Sequence, residues 1–388
     1  MVHGRWIILN SSRLAAALTT TSLLSSSSSE SPLLKFGIIA DIQYADVDDA
    51  ENFAKTEKRF YRGSLEGASQ AVKRWSNEND IQFIAQLGDL IDGQNNLQYG
   101  SLKNIVAEPQ SEIALKSVIA ILDELHPENI LFFHACGNHE LMNFEQVEIQ
   151  DKLFQVSTNS CRHVFQKNKK CYFEAFRTRG WRFLQLDAYA NSILHPKHLS
   201  GYKEAAKILR TENPNDVVDT PPGTVNFFNG LSGSQCRFVP FNGGLGQAQL
   251  DWLVASLHEA RAQNDKVVLF SHLPLHPNSA SWRNVPFDAP HILDILNEYS
   301  DVVVAVFAGH SHSGGYYFDP YSKISHITVQ ATLTHRTAFG ICDLYHDRIQ
   351  LRGFGALPSR TLFVHAADQY YEEEEDVYNN EPHLRDDA

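Results

Sequence analysis

The sequence predicts an α/β domain over residues 33–365, and three observations carry that prediction. Short apolar runs that end in an acid, an amide or a histidine alternate with longer amphipathic stretches, the pattern of buried strands separated by helices. The 388 residues are 43% hydrophobic and 20% charged, enough apolar matter for a full core. No internal repeat and no clean linker interrupts the middle of the chain, so one domain is expected there.

Taken in order, "LLKFGIIAD" (33–41) reads as a buried strand ending in an acid. "YRGSLEGASQAVKRWSNEN" (61–79) reads as a helix with Leu65, Ala68, Val72 and Trp75 on one face. "IQFIAQLGD" (81–89) is a second strand ending in an acid, and "SEIALKSVIAILDELH" (111–126) a second helix whose Ser and Glu suit a first turn. "ILFFHACGNHE" (130–140) is a third strand running into polar residues, and "WRFLQLD" (181–187) a fourth. Residues 190–245, with "NPNDVVDTPPGT" and "FNGLSGSQ", read as surface loops long enough to cover a site. "GQAQLDWLVASLHEARAQND" (246–265) is a strongly amphipathic helix. "KVVLFSH" (266–272) and "DVVVAVFAGH" (301–310) are two more strands with polar ends. "KISHITVQATL" and "FGICDLYHDRIQLRGFG" read as closing, largely antiparallel strands with "YHDR" as a turn.

The two ends of the chain differ from this body. Residues 1–32 are rich in Ser and Thr and carry Arg5 and Arg13 with no acid before Glu30, the composition of an organelle transit peptide or of a plain disordered leader. The expected location is cytoplasmic, or organellar if the leader is a transit peptide. Residues 366–388 form an acidic tail expected to be solvated and disordered. From Asp368 onward nine acids stand against one arginine, so −8 of the net −13 lies there and −5 remains for the rest. A mildly acidic body without a basic stripe argues against nucleic-acid binding. No apolar run reaches the ~18 residues of a membrane span. Five cysteines with no CxxC pair suit a reducing compartment, and a Cys161–Cys171 bridge is not expected. A monomer is expected.

The polar strand ends carry the chemistry. They are Asp41 with Gln43, Asp89, Asn138 with His139, His272, and His310 with His312. In open α/β sheets the carboxyl ends of strands gather at one edge, where ligands bind. Carboxylate and amide oxygens with imidazole nitrogens, and no thiolate, suit two divalent ions better than a structural zinc. Two such ions bring four positive charges against one negative charge each on Asp41 and Asp89. The remainder attracts a phosphate ester or pyrophosphate, and paired ions activate water without a protein nucleophile.

"DIQ", "GDLID", "GNHE", "SHLPLH" and "GHSH" stand in the order and spacing of the calcineurin-like metallophosphoesterases, which this chain resembles from residue 41 to 312. The flanking text, "FGIIADIQYAD", "QLGDLIDG", "GNHELMNF" and "GHSHSGGY", is similar to that of the manganese-dependent ADP-ribose/CDP-alcohol diphosphatases. The resemblance implies a β-sandwich of two mixed sheets flanked by helices, with a dimetal site. It assigns Asp41, Gln43 and His312 to one ion, Asn138, His272 and His310 to the other, and Asp89 to both. His139 would touch the phosphoryl oxygens or protonate the leaving oxygen, with Glu140 orienting it. Most of the wider superfamily has a histidine where this chain has Gln43. The harder amide oxygen shifts preference toward manganese or magnesium over zinc, and the diphosphatase group shares it.

The activity implied is hydrolysis of ADP-ribose, CDP-choline, CDP-glycerol and related nucleoside diphosphates by a metal-bridging hydroxide. Phosphomonoester or cyclic-nucleotide hydrolysis at the same site, and a non-catalytic metal-binding scaffold, are the alternatives. The segment "DDAENFAKTEKRFYR" (48–62) offers Phe53 to a nucleobase and Arg62 to a phosphate, with Arg59, Phe60 and Tyr61 beside them; equally it reads as a helix lead-in with core aromatics. Asp92 and Asp187 are read as turn or structural acids, and Cys136 as a small buried hydrophobe.

Overall fold

The computed structural model describes residues 30–52, 55–96, 110–127, 129–158, 162–220 and 224–364. Most of the Ser-rich leader, all of the acidic tail, and Phe53 and Cys161 lie outside the described residues. In chain order the elements are β1 (Leu34–Ile39), β2 (Ala50–Glu51), β3 (Lys58–Arg59), α1 (Ser64–Ser76), β4 (Ile81–Gln86), α2 (Ser111–Leu122), β5 (Leu131–His134), α3 (Asn138–Asn143), α4 (Gln146–Val156), β6 (His163–Val164), β7 (Phe173–Thr178), β8 (Trp181–Gln185), α5 (Ser200–Glu212), α6 (Gln247–Ala262), β9 (Lys266–Phe270), α7 (Ala289–Glu298), β10 (Val303–Ala308), β11 (Gly315–Phe318), β12 (Ser325–Thr328), β13 (Phe339–Leu344), β14 (Arg348–Phe354) and β15 (Arg360–Phe363).

Two mixed sheets dominate. One runs β15-β14-β13-β1-β4-β5-β6, the other β11-β12-β10-β9-β8-β7. In the first, β1, β4, β5 and β6 run parallel and β13, β14 and β15 continue the sheet from β1 in antiparallel pairs; in the second, β12, β10, β9 and β8 run parallel and the two edge strands pair antiparallel. The strand alternation explains how the layers stack. Phe36 and Ile38 of β1, and Phe83 and Ala85 of β4, point into an apolar cluster with Phe183, Phe270 and Phe307 of the second sheet. Ile39 and Ile84, on the opposite faces, join the cluster that contains α1, α2, α6 and α7 side chains. Phe36 stacks on Phe83 at 5.1 Å and meets Phe307 edge-on at 6.1 Å. Because both faces of these strands are covered, their sequences are near-continuous apolar runs. Helix α1 packs close to β1 because Gly37 has no side chain: a Cβ there would stand 2.8 Å from the Trp75 ring. The described residues from Pro32 to Val364 form one compact unit. No helix among the described residues is long and apolar enough to cross a membrane.

Several elements differ from the sequence reading. The stretch 190–245 is not all loop: α5 lies within it, and Ala205, Leu209, Val217 and Phe238 form a small core there with Phe287. Its buried face is Tyr202, Ala205, Ala206 and Leu209, at helical spacing, in a stretch followed by Pro- and Gly-rich text that reads as loop. The third strand ends at His134, and "NHELMN" folds into α3. Helices α4 and α7 are additional. Strand β12 runs parallel to β10 and antiparallel to β11, whereas β13 and β14 form the expected antiparallel hairpin.

Charge pairing ties α1 to the first sheet. Arg352 on β14 forks onto Glu78 at 2.9 and 3.0 Å, and Lys35 on β1 reaches the same carboxylate at 3.3 Å. Hydrogen bonds from Arg352 outweigh partial burial and, with Lys35, hold Glu78 at about 2, below its ordinary 4.5. A carboxyl depressed in the folded state stabilises the fold fully above its unfolded pKa and loses that contribution as pH falls through the folded one. Glu78→Gln should therefore lower stability near neutral pH by about 1–2 kcal/mol, after allowance for screening at this partly exposed site. It should also remove part of the acid-induced loss between pH 4.5 and about 2. Urea denaturation of both proteins across that range checks it; parallel acid limbs would refute it.

Candidate metal centre

The site begins as a backbone problem. Asp41, Gln43, Asp89 and His310, each just past a strand end, adopt left-handed backbone angles of φ 50°, 42°, 59° and 67°. Non-glycine residues rarely sit there, and such strain concentrates at functional sites. Hydrogen bonds hold the turns in place. Asp41 N–H donates to Gly88 O at 3.1 Å and Gln43 N–H to Asp89 O at 2.9 Å. His310 N–H donates to the Asp41 carboxylate at 2.9 and 3.1 Å. Gly88, at φ 99°, is required for a second reason: a Cβ there would run into the His272 ring.

Glu140 is the clamp. Its carboxylate accepts from Asp89 N–H at 2.8 Å, Leu90 N–H at 2.6 Å and Gly137 N–H at 2.8 Å. The expectation that Glu140 orients His139 is thus corrected: it holds the two turns that present Asp89 and Asn138. His139 is oriented instead by Gly93, whose N–H donates to Nδ1 at 2.7 Å. That bond puts the ring proton on Nε2, which faces the site 3.9 Å from Asp89 Oδ2.

The seven side chains read as ligands converge. Asp41, Asp89 and His272 are wholly buried, and Gln43 and Asn138 nearly so. Gln43 Nε2 lies 2.9 Å from Asp89 Oδ2 and 3.1 Å from His312 Nε2. On the other side, His272 Nε2 lies 3.3 Å from Asp89 Oδ2, and Asn138 Oδ1 is 3.1 Å from His310 Nδ1. Ligating atoms of Asp89, His272 and His310 all fall within 4.8 Å of one another. Asp89 therefore stands between a Gln43/His312 group and a His272/His310/Asn138 group, the arrangement a bridging carboxylate needs.

The donor chemistry fits cations. His272 Nδ1–H donates to Leu87 O at 2.7 Å, which turns Nε2, buried, inward toward Asp89 Oδ2. Gln43 Oε1 is buried and unpartnered. A cation shared with His312 and Asp89 requires that oxygen to turn toward them, since an amide NH₂ repels positive charge. Burial raises Asp41 to about 6. Burial also works against charge on His272, yet Asp89 and Asp41 raise it to about 9. Asp89 itself is drawn below its ordinary value, because His272 and His139 outweigh its burial. The cluster draws positive charge inward, and divalent ions deliver it to the same atoms.

Above the ligands lies a cavity of about 360 Å³ whose walls include Asn52, Glu57, Arg59, His139, Phe228, Phe241, Arg283 and Asn284. Arg62, expected to reach a phosphate, is not on its wall: its half-exposed guanidinium is engaged by Asp46 and Asp48. Arg59, three residues earlier on β3, occupies the wall instead. Asp92 Oδ1 caps a short turn at Gln94 N–H, and Asp187 accepts from Gln146 and Tyr189 N–H, as structural acids do. Cys136 and Cys171 are free, buried thiols. Sequence reasoning missed Glu57, Tyr189 and Gly93. The Tyr189 hydroxyl is 3.1 Å from Asn138 Oδ1, and Glu57 Oε1 is 2.7 Å from His312 Nδ1. No local pattern marks any of the three. Phe228 and Phe241 were foreshadowed only by the length of the segment that carries them.

Residues 34–314 match the calcineurin-like phosphoesterase family. The chain belongs to that family. It is similar to proteins named manganese-dependent ADP-ribose/CDP-alcohol diphosphatase from Xenopus tropicalis, 34% identical over 86% of this chain and 95% of that one, and from Homo sapiens, 32% identical over 86% and 94%. A crystal structure of a dimetal phosphatase from Danio rerio superposes with a TM-score of 0.72 at 32% identity, covering 86% of this chain and 100% of that one. The chain is thus a metallophosphoesterase, and the two-sheet fold is that of its structural relative.

Glu140→Ala tests the clamp. Three N–H groups lose their acceptor, at about 1–3 kcal/mol each where burial is complete. The expected result is a loss of about 3 kcal/mol or more in chemical denaturation, with reduced metal content by elemental analysis. Unchanged stability and stoichiometry would contradict the role assigned to it.

Proposed function

We propose that this chain hydrolyses the diphosphate linkage of nucleoside diphosphates joined to a sugar or an alcohol, ADP-ribose and CDP-alcohols among them, with manganese as its metal. The observation that carries the reading is the placement of Asp89 between two donor groups at the floor of a cavity with Arg59 and Arg283 on its walls. Relatives at 29–35% identity bear the diphosphatase name, which favours this substrate class over phosphomonoesters or cyclic nucleotides. A non-catalytic scaffold fits poorly with a chain that keeps every donor and His139.

Asp41, Gln43 and His312 would hold one ion, Asn138, His272 and His310 the other, and Asp89 both. Bound ions supply an activated water and neutralise charge on the reacting phosphorus. The protein's own groups do the rest. His139 presents Nε2–H to a phosphoryl or leaving oxygen, and Gly93 keeps that tautomer in place. Arg59 and Arg283 bring positive charge to the phosphates. Phe228 and Phe241 offer apolar surface to the nucleoside side of the cavity. Cleavage of the P–O–P link gives two phosphomonoesters: AMP with ribose 5-phosphate, or CMP with a phosphorylated alcohol.

Purified protein assayed with manganese, magnesium and zinc against ADP-ribose, CDP-choline, p-nitrophenyl phosphate and 2′,3′-cyclic AMP should turn over the first two best with manganese. Absence of turnover of both, with metal bound, rejects the substrate class. His139→Ala should retain its metal and lose about 10²–10³ in kcat. Full activity in that variant rejects the role given to His139.

A further inference from the structure

We propose that Glu57 is a positioning residue that latches the β2–β3 hairpin to His312, so that metal occupancy at His312 and the placement of Arg59 in the cavity are coupled. The proposal rests on the metal reading of the site.

The geometry is specific. Glu57 Oε1 lies 2.7 Å from His312 Nδ1, across 255 positions of sequence. A carboxylate only accepts, so the ring proton is on Nδ1 and the Nε2 lone pair faces inward. The inner contact agrees, since the Gln43 amide nitrogen approaches that same Nε2 at 3.1 Å. A carboxylate behind a ligating histidine fixes the tautomer and ring orientation and raises ligand basicity.

Glu57 is also held firmly from its own side. Asn52 Oδ1 accepts from Thr56 N–H at 2.9 Å and Glu57 N–H at 3.3 Å, and Asn52 N–H donates to Glu57 O at 2.9 Å. These bonds tie Glu57 back to Asn52 at the start of the hairpin. Arg59 follows two residues later on the same strand, lines the cavity, and lies 3.9 Å from the Glu57 carboxylate. Its Nε makes no hydrogen bond and is the atom that faces the Glu57 carboxylate. The Glu57–His312 bond thus joins the metal centre to the element that carries this arginine. Coupling of this kind is reciprocal: what Glu57 adds to ion binding, the ion returns as order in the hairpin.

The test uses full-length protein stripped of metal, with free manganese followed by EPR. Lys55 and Lys58 are exposed on the hairpin and report its order through limited trypsin cleavage. In the natural protein, manganese should slow cleavage at both. Glu57→Ala should bind manganese about 10–100-fold more weakly at one of the two sites. At saturating manganese its hairpin should stay sensitive to trypsin, with KM raised more than kcat is lowered. Glu57→Gln keeps an acceptor oxygen and the shape of the side chain, and should fall between the two. Equal manganese affinity and equal protection in Glu57→Ala, with a normal melting profile, overturn the latch while leaving the metal site standing. If the natural protein binds no manganese, the metal reading itself fails.

Discussion

Asp89 is the constraint around which this protein is organised. It is a carboxylate with no exposure to water, and its charge is tolerable only because positive or donor groups meet it from every side. One oxygen accepts from His139 N–H at 2.9 Å, while the other faces Gln43 and His272. Those partners come from the ends of β1, β5 and β9, in two different sheets. Gln43 Oε1, buried beside Asp89 without a hydrogen-bond partner, is an acceptor that a cation there would satisfy.

The two-sheet architecture makes that convergence possible. Parallel strands end on one edge of each sheet, and packing the sheets face to face brings the edges together. The aromatic layer of Phe36, Phe83, Phe183, Phe270 and Phe307 fixes their separation and orientation. On this rigid base the chain sustains four left-handed turns at Asp41, Gln43, Asp89 and His310. Each would be costly in a free loop. Here the strain is offset by backbone bonds between neighbouring strand ends and by the Glu140 carboxylate.

The cavity is built on a different principle from its floor. Its walls come from the β2–β3 hairpin, from the long segment between β8 and α6, and from the turn that carries Arg283. Arg283 lies over the Phe228 ring at 4.6 Å, which joins two of those segments on one side. The candidate ligands sit at strand ends, whereas the groups on the cavity walls sit on connections, where length and composition vary more readily; the β2–β3 hairpin also reaches back to the metal centre, through Glu57. That division accounts for a metal-ligand set that keeps its spacing while the groups facing substrate follow no recognisable pattern.

How much of this was legible follows from the same physics. The central strands were readable because burial on both faces demands unbroken apolar runs, and α1, α2 and α6 because apolar residues recur at helical spacing on their buried faces. The seven candidate ligands stand within four residues of the ends of β1, β4, β5, β9 and β10, which is what marked them in the sequence. Helix α5 has the helical spacing but adjoins Pro- and Gly-rich text that reads as loop, and α3 is only six residues of mostly polar sequence. Arg59 and Arg62 could not be told apart by order alone. The hairpin carries one into the cavity and leaves the other to Asp46 and Asp48. The sequence by itself determined the central strands and the polar side chains that converge at their ends, since burial and donor chemistry act through residue type and spacing. Only the tertiary structure decided that Glu140 clamps backbone, that Gly93 orients His139 and that Glu57 stands behind His312. Those bonds join residues remote in the chain through loops whose paths leave no periodic trace.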